Sequence, residues 1–168
     1  MWPLKINQIR RLQLEITSFC NAQCPSCERA KYDVLPEFVY KKHLNSLEIS
    51  LKQLKKWLPL DKLTSLMHIH LCGNIDEPTL HPELFDICKW LEESLPEHVW
   101  IHISTNGGTR DKKFWKQMAS LKRTLIIFGI DGLEDTNHIY RKNVKWKKLE
   151  ENFKIYIKYG GTASWQFI

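Results

Sequence analysis

Strand-like and helix-like segments alternate along this chain, and that alternation limits the fold more than any other feature. Leu12 to Thr17 reads as a first strand, Met67 to Cys72 as a second and Val99 to Ser104 as a third; Thr124 to Ile130 and Ala163 to Ile168 follow as the fourth and fifth. Helical patterns separate them. Ser50 reads as an N-cap with Gln53 as its capping-box partner, opening a helix to about Trp57 that Pro59 ends. Pro82 suits the first residue of a helix carrying Leu84, Ile87, Cys88 and Leu91. Asp111 opens a helix to about Leu121, and a lysine-rich helix runs from about Lys145 to Tyr159, stopped by Gly160-Gly161. Residues 28 to 49 form a long connection with room for a short helix. This βα repetition predicts a parallel sheet covered by helices.

Within the strands, apolar and polar residues alternate. Leu12, Leu14 and Ile16 oppose Gln13, Glu15 and Thr17; Met67, Ile69 and Leu71 oppose His68, His70 and Cys72; Val99, Ile101 and Ile103 oppose Trp100, His102 and Ser104. Parallel strands buried on both faces usually read as continuous apolar runs. Here the apolar sides can bury against helices, while the polar sides share a second space and need hydrogen-bond partners there. A barrel or half-barrel lumen holding a polar cofactor meets that need. An antiparallel sheet with one wet face is the competing reading, and the intervening helices count against it.

At 168 residues the chain is about one domain. Its hydrophobic content of 43%, with seven Trp and seven Phe, supports a real core and argues against disorder. No apolar stretch approaches a membrane span, and Met1-Trp2-Pro3-Leu4-Lys5 carries no signal-like apolar region. Much of the +6 net charge sits in Arg141, Lys142, Lys145, Lys147 and Lys148. It reads as the solvated face of a helix, with a nucleic-acid surface as the alternative. Such a charge also suits an acidic peptide or a carboxylate-bearing small molecule. Free cysteines imply a reducing cytoplasm.

Three of the five cysteines fall in one run, Cys20-Asn21-Ala22-Gln23-Cys24-Pro25-Ser26-Cys27, directly after the first strand. An odd count without a signal peptide argues against a disulfide framework. Three thiolates on one loop can converge on a metal centre and leave one position open to a ligand. An iron–sulfur cluster is the favoured reading. A Cys3His zinc site completed by His43, His68 or His70 is the rival, although zinc knuckles usually add a second pair and Cys72 and Cys88 stand alone. His68 and His70 otherwise read as polar packing or substrate contacts, and Cys88 as core. Sites in α/β sheets gather at the C-terminal ends of strands. The loops there carry the cysteine triad, then Cys72-Gly73-Asn74-Ile75-Asp76-Glu77-Pro78, then Ser104-Thr105-Asn106-Gly107-Gly108, then Gly129-Ile130-Asp131-Gly132.

Taken together these loops resemble those of the radical S-adenosylmethionine (radical SAM) superfamily. The CxxxCxxC loop resembles its cluster motif and CGNIDEPTLHPEL its Gly-Gly-Glu motif. ISTNGG resembles its ribose-contacting segment and FGIDGLEDTNHIYRKN its Ser-x-Asp-Gly segment. The likeness runs from about Leu12 to Ile168 and is nearest to the branch with SPASM- or Twitch-type relatives, many of which modify peptides. It implies a partial TIM-barrel-like α/β fold, with about five strands of a half-open (βα)6 barrel. It also implies that Cys20, Cys24 and Cys27 hold a [4Fe–4S] cluster whose open iron binds S-adenosylmethionine. Glu77 would accept hydrogen bonds from the methionine ammonium, and Ser104 and Asn106 would bind ribose hydroxyls. Asp131 would contact the cofactor or orient its neighbours, and Arg141 would pair with the methionine carboxylate. Reductive cleavage would release a 5′-deoxyadenosyl radical that takes hydrogen from a peptide or small-molecule substrate, with a flavodoxin or ferredoxin as electron donor. A non-catalytic iron–sulfur or zinc module, and a radical SAM protein acting on RNA, are the alternatives.

Three positions depart from the family pattern. Ser26 stands where an aromatic is common, Ile75-Asp76 replaces the two glycines before the acid, and Gly129 replaces a serine. The sequence given stops within the fifth strand, so residues 1–168 read as a fragment, a core domain truncated in or after that strand, with missing units supplied by another chain or a reduced half-barrel as the alternatives.

Overall fold

The computed structural model describes residues 5–29, 47–71 and 75–168. His43, Cys72 and most of the connection expected over 28 to 49 lie outside these. Five strands, β1 (Arg11–Leu14), β2 (His68–Leu71), β3 (Trp100–Thr105), β4 (Thr124–Gly129) and β5 (Thr162–Gln166), form one sheet in the order β1-β2-β3-β4-β5. Every neighbouring pair is parallel, which rules out the antiparallel reading. The helices among the described residues are α1 (Leu51–Trp57), α2 (Leu84–Ser94), α3 (Lys112–Met118), α4 (Asn137–Tyr140) and α5 (Trp146–Lys158), with short 3-10 turns at Ile6–Gln8, Leu60–Lys62 and Pro78–Leu80.

The strand order has a direct physical consequence. Right-handed crossovers between strands laid down in sequence put their helices on one side of the sheet. That side is apolar, and the other is polar across β1 to β3. Leu12, Ile69 and Ile101 align across the first three strands, as do Leu71 and Ile103. Ile69, Leu71, Ile101, Ile103, Ile126 and Phe128 are buried. They meet Leu84, Ile87, Cys88 and Leu91 of α2, Trp115 and Met118 of α3, and Leu149 and Tyr156 of α5. Cys88 is therefore core, as its helical spacing predicts. The opposite face carries Gln13, His70, His102 and Leu125 in one register row, all at least partly accessible. The sheet is open, as a half-barrel requires. Among the described residues no helix is long and apolar enough to cross a membrane.

Local signals act as expected at several helix ends. Ser50 Oγ accepts from Gln53 N at 3.3 Å while Ser50 N donates to Gln53 Oε1 at 2.9 Å. Asp111 Oδ1 accepts from Phe114 N at 2.9 Å. The helix expected to open at Pro82 starts two residues later, because His81 caps the turn. Its Nδ1 accepts from Glu83 N (3.1 Å) and its Nε2 donates to Ile49 O (3.1 Å). Burial lowers the His81 pKa from its usual value, so the neutral ring serves this role. β1 is shorter than the Leu12–Thr17 pattern. After Leu14 the chain leaves the ladder, and residues 16–18 pair instead with 47–49, through Ile49 N to Ile16 O and Ser18 N to Leu47 O, each 2.8 Å. The third helix ends at Met118 rather than Leu121, and the short helix α4 was not anticipated, being too brief for an apolar period.

Within the basic run, Arg141 turns inward to Asp131 and Lys148 lies 4.0 Å from Glu151 on the same helix.

Candidate functional site

All four rim loops meet around the cysteines. Glu77 N donates to Phe19 O (2.8 Å), joining the cysteine loop to the segment after β2. Asn106 Nδ2 donates to Asn21 Oδ1 (2.9 Å), joining it to the segment after β3. Gln23 N donates to Lys142 O (3.0 Å), joining it to the segment after α4. Arg29 ties the base of the loop with bonds from Nη1 to Ser18 O (2.7 Å) and Ile75 O (2.5 Å). Cys24 is buried, and Cys20 and Cys27 are half-buried.

Glu77 lies at the centre of this assembly and is 2% exposed. Oε1 accepts from Thr79 Oγ1 (2.6 Å), Thr79 N (3.2 Å) and Thr105 Oγ1 (2.6 Å), and Oε2 accepts from Asn106 N (2.7 Å). Burial raises its pKa, and these four donors oppose the rise. The carboxylate thus bolts the turn after β2 to the end of β3. Thr79, Thr105 and Thr109, which complete this network, were not singled out from the sequence.

Asp131 and Arg141 face each other. Arg141 Nε donates to Asp131 Oδ2 at 2.5 Å, the Asp131 side chain being 2% exposed, and Arg141 Nη1 reaches Cys24 Sγ at 3.9 Å. Asp131 N is held by Asn137 Oδ1 at 3.0 Å, which gives the unanticipated α4 a role in shaping the rim. Ser104 stands apart from the group. It lies on the polar face of the sheet with Oγ 3.0 Å from His70 Nε2. Asn106 is buried, its Oδ1 accepting from Gly108 N at 2.9 Å. Asn152 of α5 was also missed. Fully buried, it donates to Gly107 O (2.7 Å) and Thr109 O (2.8 Å) and so fixes the loop after β3. An asparagine inside the apolar stripe Leu149–Tyr156 was the available signal, since a buried amide needs partners.

The departure at Gly129 has a structural reason. A Cβ there would stand 2.4 Å from Arg141 Nη2 and 2.9 Å from its Cζ. Glycine makes room for the guanidinium to lie between Asp131 and Cys24. Gly129→Ser should push the guanidinium out of that position at a cost of about 1–3 kcal/mol. Urea unfolding of Gly129→Ser, Arg141→Gln and the double variant checks this. The two costs should not add, because one displaced side chain accounts for both.

The donor set fits an iron–sulfur cluster. Burial pushes the Cys20 thiol up to about 12, and the Glu77 carboxylate adds to the rise. Burial also raises Cys24, with Arg141 opposing. The Cys20 and Cys24 thiolates are thus disfavoured without a bound cation, and a coordinating metal deprotonates a thiol outright. Around a single zinc every ligand atom must stand about 2.0–2.3 Å from one centre. Among the described residues no group of three His, Cys, Asp or Glu side chains, the cysteine triad included, is placed around a single ion. His68 and His70 lie on the sheet face with His102, so they do not complete a Cys3His site.

Several solved structures share this architecture. Streptococcus suis SuiB bound to precursor peptide SuiA superposes with a TM-score of 0.72 at 16% identity, over 94% of this chain and 32% of that one. SuiB bound to S-adenosylmethionine gives a TM-score of 0.71 at 15% identity, over 94% of this chain and 33% of that one. Native anSMEcpe with bound AdoMet and the Cp18Cys peptide gives 0.66 at 19% identity, over 93% and 42%. In sequence, the tungsten-containing aldehyde ferredoxin oxidoreductase cofactor-modifying protein of Pyrococcus furiosus is 28% identical over 132 residues, 78% of this chain and 33% of that protein. The chain thus spans about a third of the length of that relative and of SuiB. The sequence model of the radical SAM superfamily matches residues 14–168, and the chain belongs to that superfamily.

Proposed function

We propose that this chain is the catalytic core of a radical SAM enzyme, with Cys20, Cys24 and Cys27 ligating three irons of a [4Fe–4S] cluster and S-adenosylmethionine taking the fourth. When loaded, such a site supplies one-electron chemistry: reductive cleavage of the sulfonium to a 5′-deoxyadenosyl radical, with hydrogen abstraction from the substrate. The observation that carries this reading is the cysteine loop itself, three thiols on one loop whose Phe19, Asn21 and Gln23 are bonded to the segments after β2, β3 and α4.

The chain's own residues then have distinct tasks. Ser104 and Asn106 would bind ribose hydroxyls, Asn106 from beside Asn21 of the cysteine loop and Ser104 from the polar face of the sheet. The Glu77 carboxylate already accepts four bonds within the protein. It serves best as the positioning residue that holds the cofactor loops in place, and any contact with the methionine ammonium is secondary. Asp131 orients Arg141. The guanidinium offers a positive charge beside Cys24, where it can steady a thiolate and meet a carboxylate. A peptide is the favoured substrate class. Two of the structural relatives are described with peptides bound, and the net charge of +6 suits an acidic one. The electron donor is of the flavodoxin or ferredoxin kind, in a reducing cytoplasm.

Anaerobic reconstitution tests the proposal. The expected result is about four irons and four sulfides per chain, with an EPR signal that changes on adding S-adenosylmethionine and is lost in Cys24→Ser. Stoichiometric zinc with no response to S-adenosylmethionine would overturn it and favour a structural metal module.

A further inference from the structure

The polar face of the sheet carries three histidines that the cysteine site does not use. His68 and His70 lie on β2, and His102 on β3 in register with His70. The His68 and His102 ring centroids are 5.0 Å apart, and those of His70 and His102 are 6.1 Å apart. Across the β1 ladder, Arg11 stands beside His68 and Gln13 beside His70. With Leu12 these side chains line a cavity of about 550 Å³.

The lining is one-sided in charge. Among the described residues it holds a guanidinium, an amide and three imidazoles, and no acid. Arg11 makes no ion pair among the described residues. Burial pushes the His102 imidazole below its usual pKa, and His68, His70 and Arg11 push it further. Among the described residues, His68 Nδ1 is buried without a hydrogen-bond partner. Donors gathered with no counter-charge suit a bound anion, which would accept charge-assisted bonds from them. A metal suits them less well. Three imidazoles must converge to about 2.1 Å from one ion, these do not, and Arg11 would repel a cation.

The position of the cavity connects it to the rim. Ser104, bonded to His70, precedes Thr105, which donates to Glu77. From the His70–His102 row to Ser104 is two residues of strand, about 7 Å. A molecule entering from the rim could therefore reach down the polar face to the histidines.

We propose that this cavity anchors the substrate by an oxyanion, a carboxylate or a phosphate, held on Arg11, His68, His70 and His102. That the anion belongs to a substrate rests on the function proposed above; that the cavity binds one rests on the residues just named.

Titration of the full 168-residue chain with glutarate, and separately with inorganic phosphate, tests this at constant pH and ionic strength, following the imidazole proton signals by NMR. The expected result is a saturable shift of His68, His70 and His102, with the exposed His98 and His138 unmoved. Arg11→Gln should raise the Kd roughly tenfold or more, the loss expected for a charge-assisted bond. Because Arg11 is exposed and unpaired among the described residues, this variant should fold, and circular dichroism checks it. Tighter saturation by glutarate supports a carboxylate, and tighter saturation by phosphate supports a phosphoryl group. Absence of saturation by both anions, equal shifts at His98 and His138, an unchanged Kd in Arg11→Gln, or zinc binding on the three rings that excludes both anions would overturn the site. Anion binding in a chain that takes up no iron would overturn the substrate assignment alone.

Discussion

Glu77→Ala lowers the unfolding free energy by about 3–5 kcal/mol, the range for deleting one partner of a buried charged network. The carboxylate accepts from Asn106 N and from the hydroxyls of Thr79 and Thr105. Its removal leaves those donors facing a hole that is sealed from water. The loss should appear as a lower midpoint in urea unfolding with an unchanged slope. Glu77→Gln should cost clearly less, since its amide oxygen can still accept from Thr79 and Thr105. Its NH2 group, turned toward Asn106 N, would set donor against donor, so some loss remains. Equal costs for the two variants would mean that the volume of the side chain matters and its acceptors do not. Both variants should also weaken iron uptake, because Glu77 N is bonded to Phe19 O, next to Cys20.

Gly107→Ala should cost about 2–4 kcal/mol, the sum of left-handed backbone strain and overpacking. Gly107 has φ +65°, and a Cβ there would stand 2.4 Å from Leu149 Cδ1 and 2.9 Å from Phe128 Cδ1. Both neighbours are buried, Leu149 wholly so. Asn152 further prevents the loop from drifting outward by holding Gly107 O. Gly160→Ala is the control. Its φ is +87° but nothing lies within 4 Å of the added Cβ, so backbone strain of about 1–2 kcal/mol is all that should be seen. Paired urea or thermal melts decide the matter. If the two variants lose equal stability, the contact between the loop after β3 and helix α5 is looser than described.

These two expectations bear on different kinds of residue. Gly107 was visible beforehand as part of a turn-forming run after a strand. Its tight seat against Leu149 was not, because that contact joins segments 42 residues apart in the chain. The motif marks Glu77 as a cofactor ligand, and in the structure Oε1 serves Thr79 and Thr105 while Oε2 accepts from Asn106 N. A motif marks that an acid is needed at a position. It does not say whether the acid faces the cofactor or the protein. Ser104 illustrates the same gap from the other side: one residue from Thr105, it points to the opposite face of the sheet, by the period of the strand.

From the order of residues alone came the alternation of strands and helices, the apolar and polar faces of β1 to β3, the caps at Ser50 and Asp111, and the three cysteines on one loop. Each of these is local, set by neighbours within a few positions. The remainder was decided in three dimensions: the departure of residues 16–18 from the sheet toward 47–49, the pairing of Arg141 with Asp131 and Cys24 across Gly129, the service of Asn152 to the loop after β3, and the meeting of His68, His70 and His102 beside Arg11. These depend on which segments the packing brings together. Side chains far apart along the chain become partners only after the parallel sheet has set their register.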